Sequence, residues 1–239
     1  MQRPAMPPNW RPVSLPGKEA GRRHRDDRLY RAAALSLATD DELAACPRNL
    51  TWFDLRIDEE RAQDRAFSLP HGWRMVHFPL VGTDAAFDRR QAVGLVREIA
   101  AGRATWGSLY CSAIATGAAS FATALQALAG LPGPVVIACQ GGRDRTGMLI
   151  ALLLSLVGAC REEVVADYLL TNVDDIETRR RQPLDGLTVE PDLTCRASDI
   201  GQMLDLLEEF GGAHAYLRRA LPAAQVTAIV HALRPRILA

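Results

Sequence analysis

A chain of 239 residues with 48% hydrophobic content can bury a full core as one large domain, with room for an appended helical part. Its 28 basic and 28 acidic residues cancel, which excludes a global field drawing it to nucleic acid or an anionic membrane, so any anion affinity is local. The five cysteines show neither a pairing pattern nor metal-ligand spacing, which argues for a reducing compartment and against a disulfide framework or a zinc site.

Residues 1–28 read as an extended leader, because Pro4, Pro7, Pro8, Pro12 and Pro16 interrupt any regular pattern, and Arg22 to Arg25 read as a basic, solvated turn. No apolar run of signal-peptide length occurs there, and the longest apolar stretch, Met148 to Ala159, is too short to span a bilayer. The expectation is a cytoplasmic protein without stable membrane insertion, with export that needs no cleaved signal left open. Residues 29–239 are expected to form one domain. A strand and turn over Arg28 to Ser36 lead to a short helix from Thr39, its cap, to Ala45.

The apolar, aromatic run Leu50 to Arg56 predicts a buried strand whose polar residues, Asp54 and Arg56, fall at its carboxyl edge and form an internal ion pair. Asp58 to Arg65 reads as solvated. Another strand is predicted over Trp73 to Leu80, then a loop, Val81 to Asp84. Helical patterns cover Ala86 to Gly102 and, after a break at Gly107, Leu109 to Gly130. Beyond the segment Pro134 to Val157, helices are expected over Glu162 to Asn172, then a charged helix tail and loop from Asp174 to Asp192. Two more helices follow from Ala197, broken at Gly211-Gly212 and resuming after Pro222.

The chemistry concentrates between Pro134 and Gly147. Pro134 to Ala138 is a short apolar strand, Cys139-Gln140-Gly141-Gly142-Arg143-Asp144-Arg145 a loop, and Met148 to Val157 a buried helix. Such a loop can curl so that successive backbone N–H groups point inward, reinforced by the positive end of the helix dipole, a cradle for a tetrahedral dianion. Gln140, Gly141, Gly142, Arg143, Asp144 and Arg145 are the phosphate-binding candidates. Cys139 sits where those dipoles and two arginines would lower a thiol pKa from about 8.5 toward neutrality, making it a nucleophile aligned beneath a bound phosphate. The Arg145 fork suits two phosphate oxygens, and the Thr146 hydroxyl suits the sulfur when it leaves as thiolate.

Cys139 and Arg145 stand as Cys-x5-Arg followed by Thr146-Gly147, and the string CQGGRDRTG resembles the bacterial cysteine-dependent tyrosine phosphatases with a CxxGxDRTG loop, of the type secreted by mycobacteria. Asn9-Trp10-Arg11, Leu29 to Ser36, Asp54-Leu55-Arg56 and Asp167 to Asn172 match further parts of that pattern, with Pro12 in place of an aspartate. The resemblance implies a metal-free, cofactor-free hydrolysis of phosphate monoesters through a phosphocysteine, with phosphorylated protein or phosphoinositide as substrate. Arg143 stands where relatives acting on phosphoinositides carry lysine, so it is expected to offer a second cation. Two departures concern the chemistry: Leu80 replaces the acid of Phe-Pro-Asp, and Ala138 replaces a histidine that tunes the thiol. The proton donor is then Asp144, preferred, or Asp84, with Asp88 also nearby.

Alternating strands and helices predict an α/β domain with a mainly parallel central sheet, phosphatase-like, with extra C-terminal helices. A phosphate-binding module without turnover and a sulfurtransferase are the alternatives from other classes. Sequence leaves the oligomeric state open.

Overall fold

The structure, a computed structural model, describes residues 5–15, 28–64, 67–80, 89–172 and 192–238. The basic turn Arg22 to Arg25, the loop holding Asp84 and Asp88, and the charged segment 174–191 lie outside the described residues.

Among the described residues five strands form one sheet, β1 (Arg11–Pro12), β2 (Leu29–Ala32), β3 (Thr51–Asp54), β4 (Arg74–His77) and β5 (Val135–Ala138), in the order β1-β2-β5-β3-β4. The four longer strands are parallel and the short β1 runs antiparallel to β2. The mainly parallel α/β architecture expected from the sequence is therefore present. β5 is apolar throughout because it is central and covered on both faces. Side chains alternate along it: Val135 and Ile137 join Leu29, Phe53 and Leu55 in the larger core, while Val136 and Ala138 join Tyr30, Ala32 and Trp52 in the smaller one.

Register fixes the location of the site. Ala32 of β2 and Asp54 of β3 both sit level with Ala138, so three strands end together at the residue before Cys139. A crevice at the carboxyl edge of a parallel sheet is the usual place for a ligand.

The larger core is packed by helices α3 (Arg89–Ala100), α4 (Trp106–Thr116), α5 (Ala118–Ala129), α6 (Asp144–Leu156), α7 (Arg161–Leu169), α8 (Ala197–Glu209), α9 (Gly212–Leu217) and α10 (Ala223–Leu238). The smaller core is covered by α1 (Asp40–Ala45) and the short turn Leu35–Leu37, while α2 (Asp58–Arg61) follows the end of β3. Thr39 caps α1 as expected, its hydroxyl accepting from Glu42 N at 3.3 Å while Glu42 accepts from Thr39 N at 2.8 Å.

Three boundaries differ from the sequence reading. The break expected at Gly107 falls slightly earlier, over residues 101–105, and a second break that the sequence reading did not place, at Gly117, turns α4 and α5 by 83°. A Cβ at Gly117 would lie 2.4 Å from Ala113 O, so only glycine fits the kink, whereas Gly107 sits inside α4 beneath Gln202. Helix α6 begins at Asp144 rather than Met148, because its first turn carries polar residues that face the site and hide the apolar period. Beyond Ala197 there are three helices, since Gly212 to Leu217 coils into its own short helix. Among the described residues no single helix is long and apolar enough to cross a membrane. The bent pair α4 and α5 has the length and composition together, but it buries Trp106, Tyr110, Ile114, Phe121 and Leu125 in the core.

Candidate active site

The loop after β5 has its shape imposed from behind. The carbonyl of Gln140 accepts from Ala34 N at 3.1 Å. Those of Gly141 and Gly142 both accept from Asn9 Nδ2 at 3.0 Å, and Gly142 O also accepts from Arg31 Nη2 at 2.8 Å. In a planar trans peptide the N–H points opposite to the C=O. With three carbonyls drawn outward, the amides of Gly141, Gly142 and Arg143 turn inward, beside the unpaired first N–H groups of α6. Gly142 makes the turn possible: its φ is +67°, and a Cβ there would lie 2.3 Å from Ala32 O.

The donors that hold the loop are themselves anchored. Arg31 is fully buried and pairs with Asp167, while Arg11 donates to Asp167 O at 2.9 Å and to Asn9 Oδ1. Asn9 adopts a positive φ of 59°, which an asparagine tolerates better than most residues. The segment read as an extended leader thus contributes an edge strand, and Val13 and Leu15 enter the main core.

Cys139, the first residue of the loop, is 2% exposed. Arg145, on the first turn of α6, donates through Nη1 and Nη2 to the two oxygens of Glu60, each at 2.5 Å, and through Nη1 to Leu55 O at 3.4 Å. Burial alone would lower the Arg145 pKa, but the hydrogen bonds and charge of Glu60, with the charges of Cys139 and Asp144, raise it above the ordinary value. Burial would raise the Glu60 carboxyl, yet the bonds and charge of Arg145, the Ile57 amide and the charge of Arg56 hold it below the usual range. Glu60 belongs to the stretch read as solvated, which the structure corrects: α2 turns back over the carboxyl end of β3. The signal available was an acidic residue three positions after Ile57, where its carboxylate accepts from the Ile57 amide at 3.0 Å.

Asp144 opens α6. Its Oδ1 accepts from Tyr110 Oη at 2.6 Å and from Arg143 Nε at 3.0 Å, and Tyr110 Oη meets Tyr168 Oη at 2.9 Å. Burial, then the Asp144 charge, push the Tyr110 phenol well above its ordinary pKa, so it stays a neutral donor. Tyr110 was not singled out by sequence, and Tyr168 entered only within the matched segment Asp167 to Asn172; one helical turn separates Tyr110 from Trp106, and that face of α4 grips Arg143 and Asp144.

Arg143 does not stand as a second cation for the ligand. Its side chain is 6% exposed, lies over Trp106 with 4.0 Å to the ring centroid, and donates to Leu193 O at 2.8 Å as well as to Asp144. Only its backbone amide remains to the loop. Gln140 turns its Oε1 toward Arg56 Nη1 at 3.5 Å. Arg56 is held by Asp54 and Asp64, so Asp54-Leu55-Arg56 is the internal ion pair expected. The Thr146 hydroxyl is fully buried and makes no hydrogen bond among the described residues, as suits a group reserved for the sulfur or a ligand.

Leu80, at the position of the expected acid, is 3% exposed within the main core, and its N–H donates to Leu55 O at 3.1 Å. Ala138 is fully buried in β5. The five cysteines are free thiols, and Cys160 is exposed at the head of α7.

A family model described as the tyrosine phosphatase family matches residues 6–238. Over 48 residues, 20% of this chain, the sequence is 46% identical to the triple specificity protein phosphatase PtpB of Mycobacterium tuberculosis. The match spans 17% of that protein's length.

Proposed function

Because the chain belongs to the tyrosine phosphatase family, we propose that it hydrolyses phosphate monoesters in two steps through a phosphocysteine on Cys139. In the first step the Cys139 sulfur attacks phosphorus, the ester oxygen departs with the bridging electron pair, and Asp144 supplies the proton that neutralises it. In the second, water attacks phosphorus, gives its proton to Asp144, and the sulfur leaves as thiolate with release of inorganic phosphate. The inward amides and the remaining edge of Arg145 meet the charge on the equatorial oxygens.

The observation that carries this reading is the outward pull on the carbonyls of Gln140, Gly141 and Gly142, which leaves an anion cradle above a buried cysteine. Phosphotyrosine proteins are the substrate class proposed first. The relative's printed name gives it three specificities; for this chain, phosphoserine, phosphothreonine and phosphoinositides are further candidates, and the lipid case loses the support of a free Arg143 side chain. Free thiols suit a reducing compartment, so a cytoplasmic setting belongs to the same proposal.

Leu80 in the core favours a second reading, a phosphate-binding module without turnover. One experiment separates them. Wild type is expected to release p-nitrophenol from p-nitrophenyl phosphate, and Cys139→Ser to lose that activity while still binding vanadate. No turnover by folded wild type that binds phosphotyrosine peptide would leave the module.

A further inference from the structure

Within the reading that Asp144 transfers the proton, we propose that Tyr110 is a positioning residue for that transfer. Its buried phenol, braced by Tyr168, holds Asp144 by one carboxylate oxygen and leaves the other to exchange the proton with the leaving group. Tyr110 Oη donates to Asp144 Oδ1 at 2.6 Å, and Arg143 Nε reaches the same oxygen at 3.0 Å. Among the described residues no hydrogen bond reaches Oδ2, and the Asp144 side chain is 30% exposed. The two donors belong to different elements, Tyr110 to α4 and Arg143 to the loop ahead of α6, so Oδ1 is held and Oδ2 is the open oxygen.

The donors are fixed in turn. Tyr110 is fully buried, its ring stands edge-on to Tyr168 at 6.1 Å between centroids, and the hydroxyls meet at 2.9 Å. Four residues earlier on α4, Trp106 covers the Arg143 guanidinium and donates through Nε1 to Asp192 O at 2.8 Å. A buried phenol needs only one partner, which Tyr168 supplies, and a carboxylate open to water needs no buried donor for its solvation. What the additional bond supplies is orientation.

The test uses aryl phosphates of graded leaving-group pKa with wild type, Tyr110→Phe, Tyr168→Phe, Asp144→Asn and the double variant Tyr110→Phe/Asp144→Asn. A proton donor matters most for poor leaving groups, so Tyr110→Phe is expected to lose about tenfold in kcat/KM there, a parameter that reports only the step in which the leaving group departs, part of the roughly 10²–10⁴-fold a placed acid contributes. With p-nitrophenyl phosphate the loss should be small, and inhibition by inorganic phosphate should be unchanged. Tyr168→Phe, which keeps the ring and the Tyr110–Asp144 bond, should show the same trend more weakly. In the Asp144→Asn background Tyr110→Phe should add nothing. A steep leaving-group dependence in Asp144→Asn with a flat or additive loss in Tyr110→Phe would overturn the proposal alone. A flat response in Asp144→Asn would overturn the role of Asp144 and the proposal with it.

Discussion

Glu60 offers the sharpest test of how the site is held. Its two oxygens occupy the outer edge of Arg145, Nη1 and Nη2 at 2.5 Å each, so the other edge, carrying Nε–H, is left for phosphate. Glu60→Ala would leave the guanidinium charged, uncompensated and free to change rotamer. Removing one partner of a fully buried pair costs about 3–5 kcal/mol. The side chains here are 19% and 23% exposed, so water recovers part of that, and a loss of about 2 kcal/mol in folding stability is expected, while the freed rotamer of Arg145 is expected to lower kcat/KM by roughly tenfold, within the 10²-fold that a small misplacement can cost. Glu60→Gln, which still accepts one hydrogen bond, should fall between. The assay is steady-state turnover of p-nitrophenyl phosphate, with urea denaturation to confirm folding. Because the folded state holds the Glu60 carboxyl below its ordinary value, its contribution to stability is complete above the unfolded pKa of about 4.3 and is lost as pH falls through the folded one. A folded Glu60→Ala with unchanged kcat/KM would refute the argument.

Two other outcomes follow from the geometry. Gly142→Ala places a Cβ 2.3 Å from Ala32 O at a φ of +67°, so the loop must shift and both the melting temperature and vanadate affinity should fall; retention of both would show the turn is not fixed as described. Leu80→Asp, which restores the acid of Phe-Pro-Asp, buries a carboxylate in the core and is expected to lower the melting temperature without raising kcat, measured by thermal denaturation and turnover; a gain in kcat at unchanged stability would contradict the packing of Leu80.

The strand–loop–helix around Cys139 was legible because an apolar β-branched run, two glycines and an apolar helix follow one another within a short span. Asp54 and Arg56 were legible for a similar reason, as charges at the end of a buried strand. Glu60, Tyr110 and Arg31 were not, because their partners lie 85, 34 and 111 residues away and no local pattern encodes such pairings. Arg143 misled because position in a loop does not say where a long side chain goes: an indole ring offered it a better surface than the solvent. Gly117 and Gly107 are alike in sequence, and only the path of α5 tells the kink from the close packing.

The amide of Asn9 reaches carbonyls 132 and 133 residues further along the chain. A nascent chain therefore makes its cysteine, its glycine turn and the first turn of the helix long before their conformation is imposed, since the early segment must return and dock against residues synthesised much later. Contacts of such separation close slowly and late. The anion cradle proposed for this loop is on this account among the last features the folding molecule acquires, arriving with the docking of the segment around Asn9 rather than with the formation of the sheet.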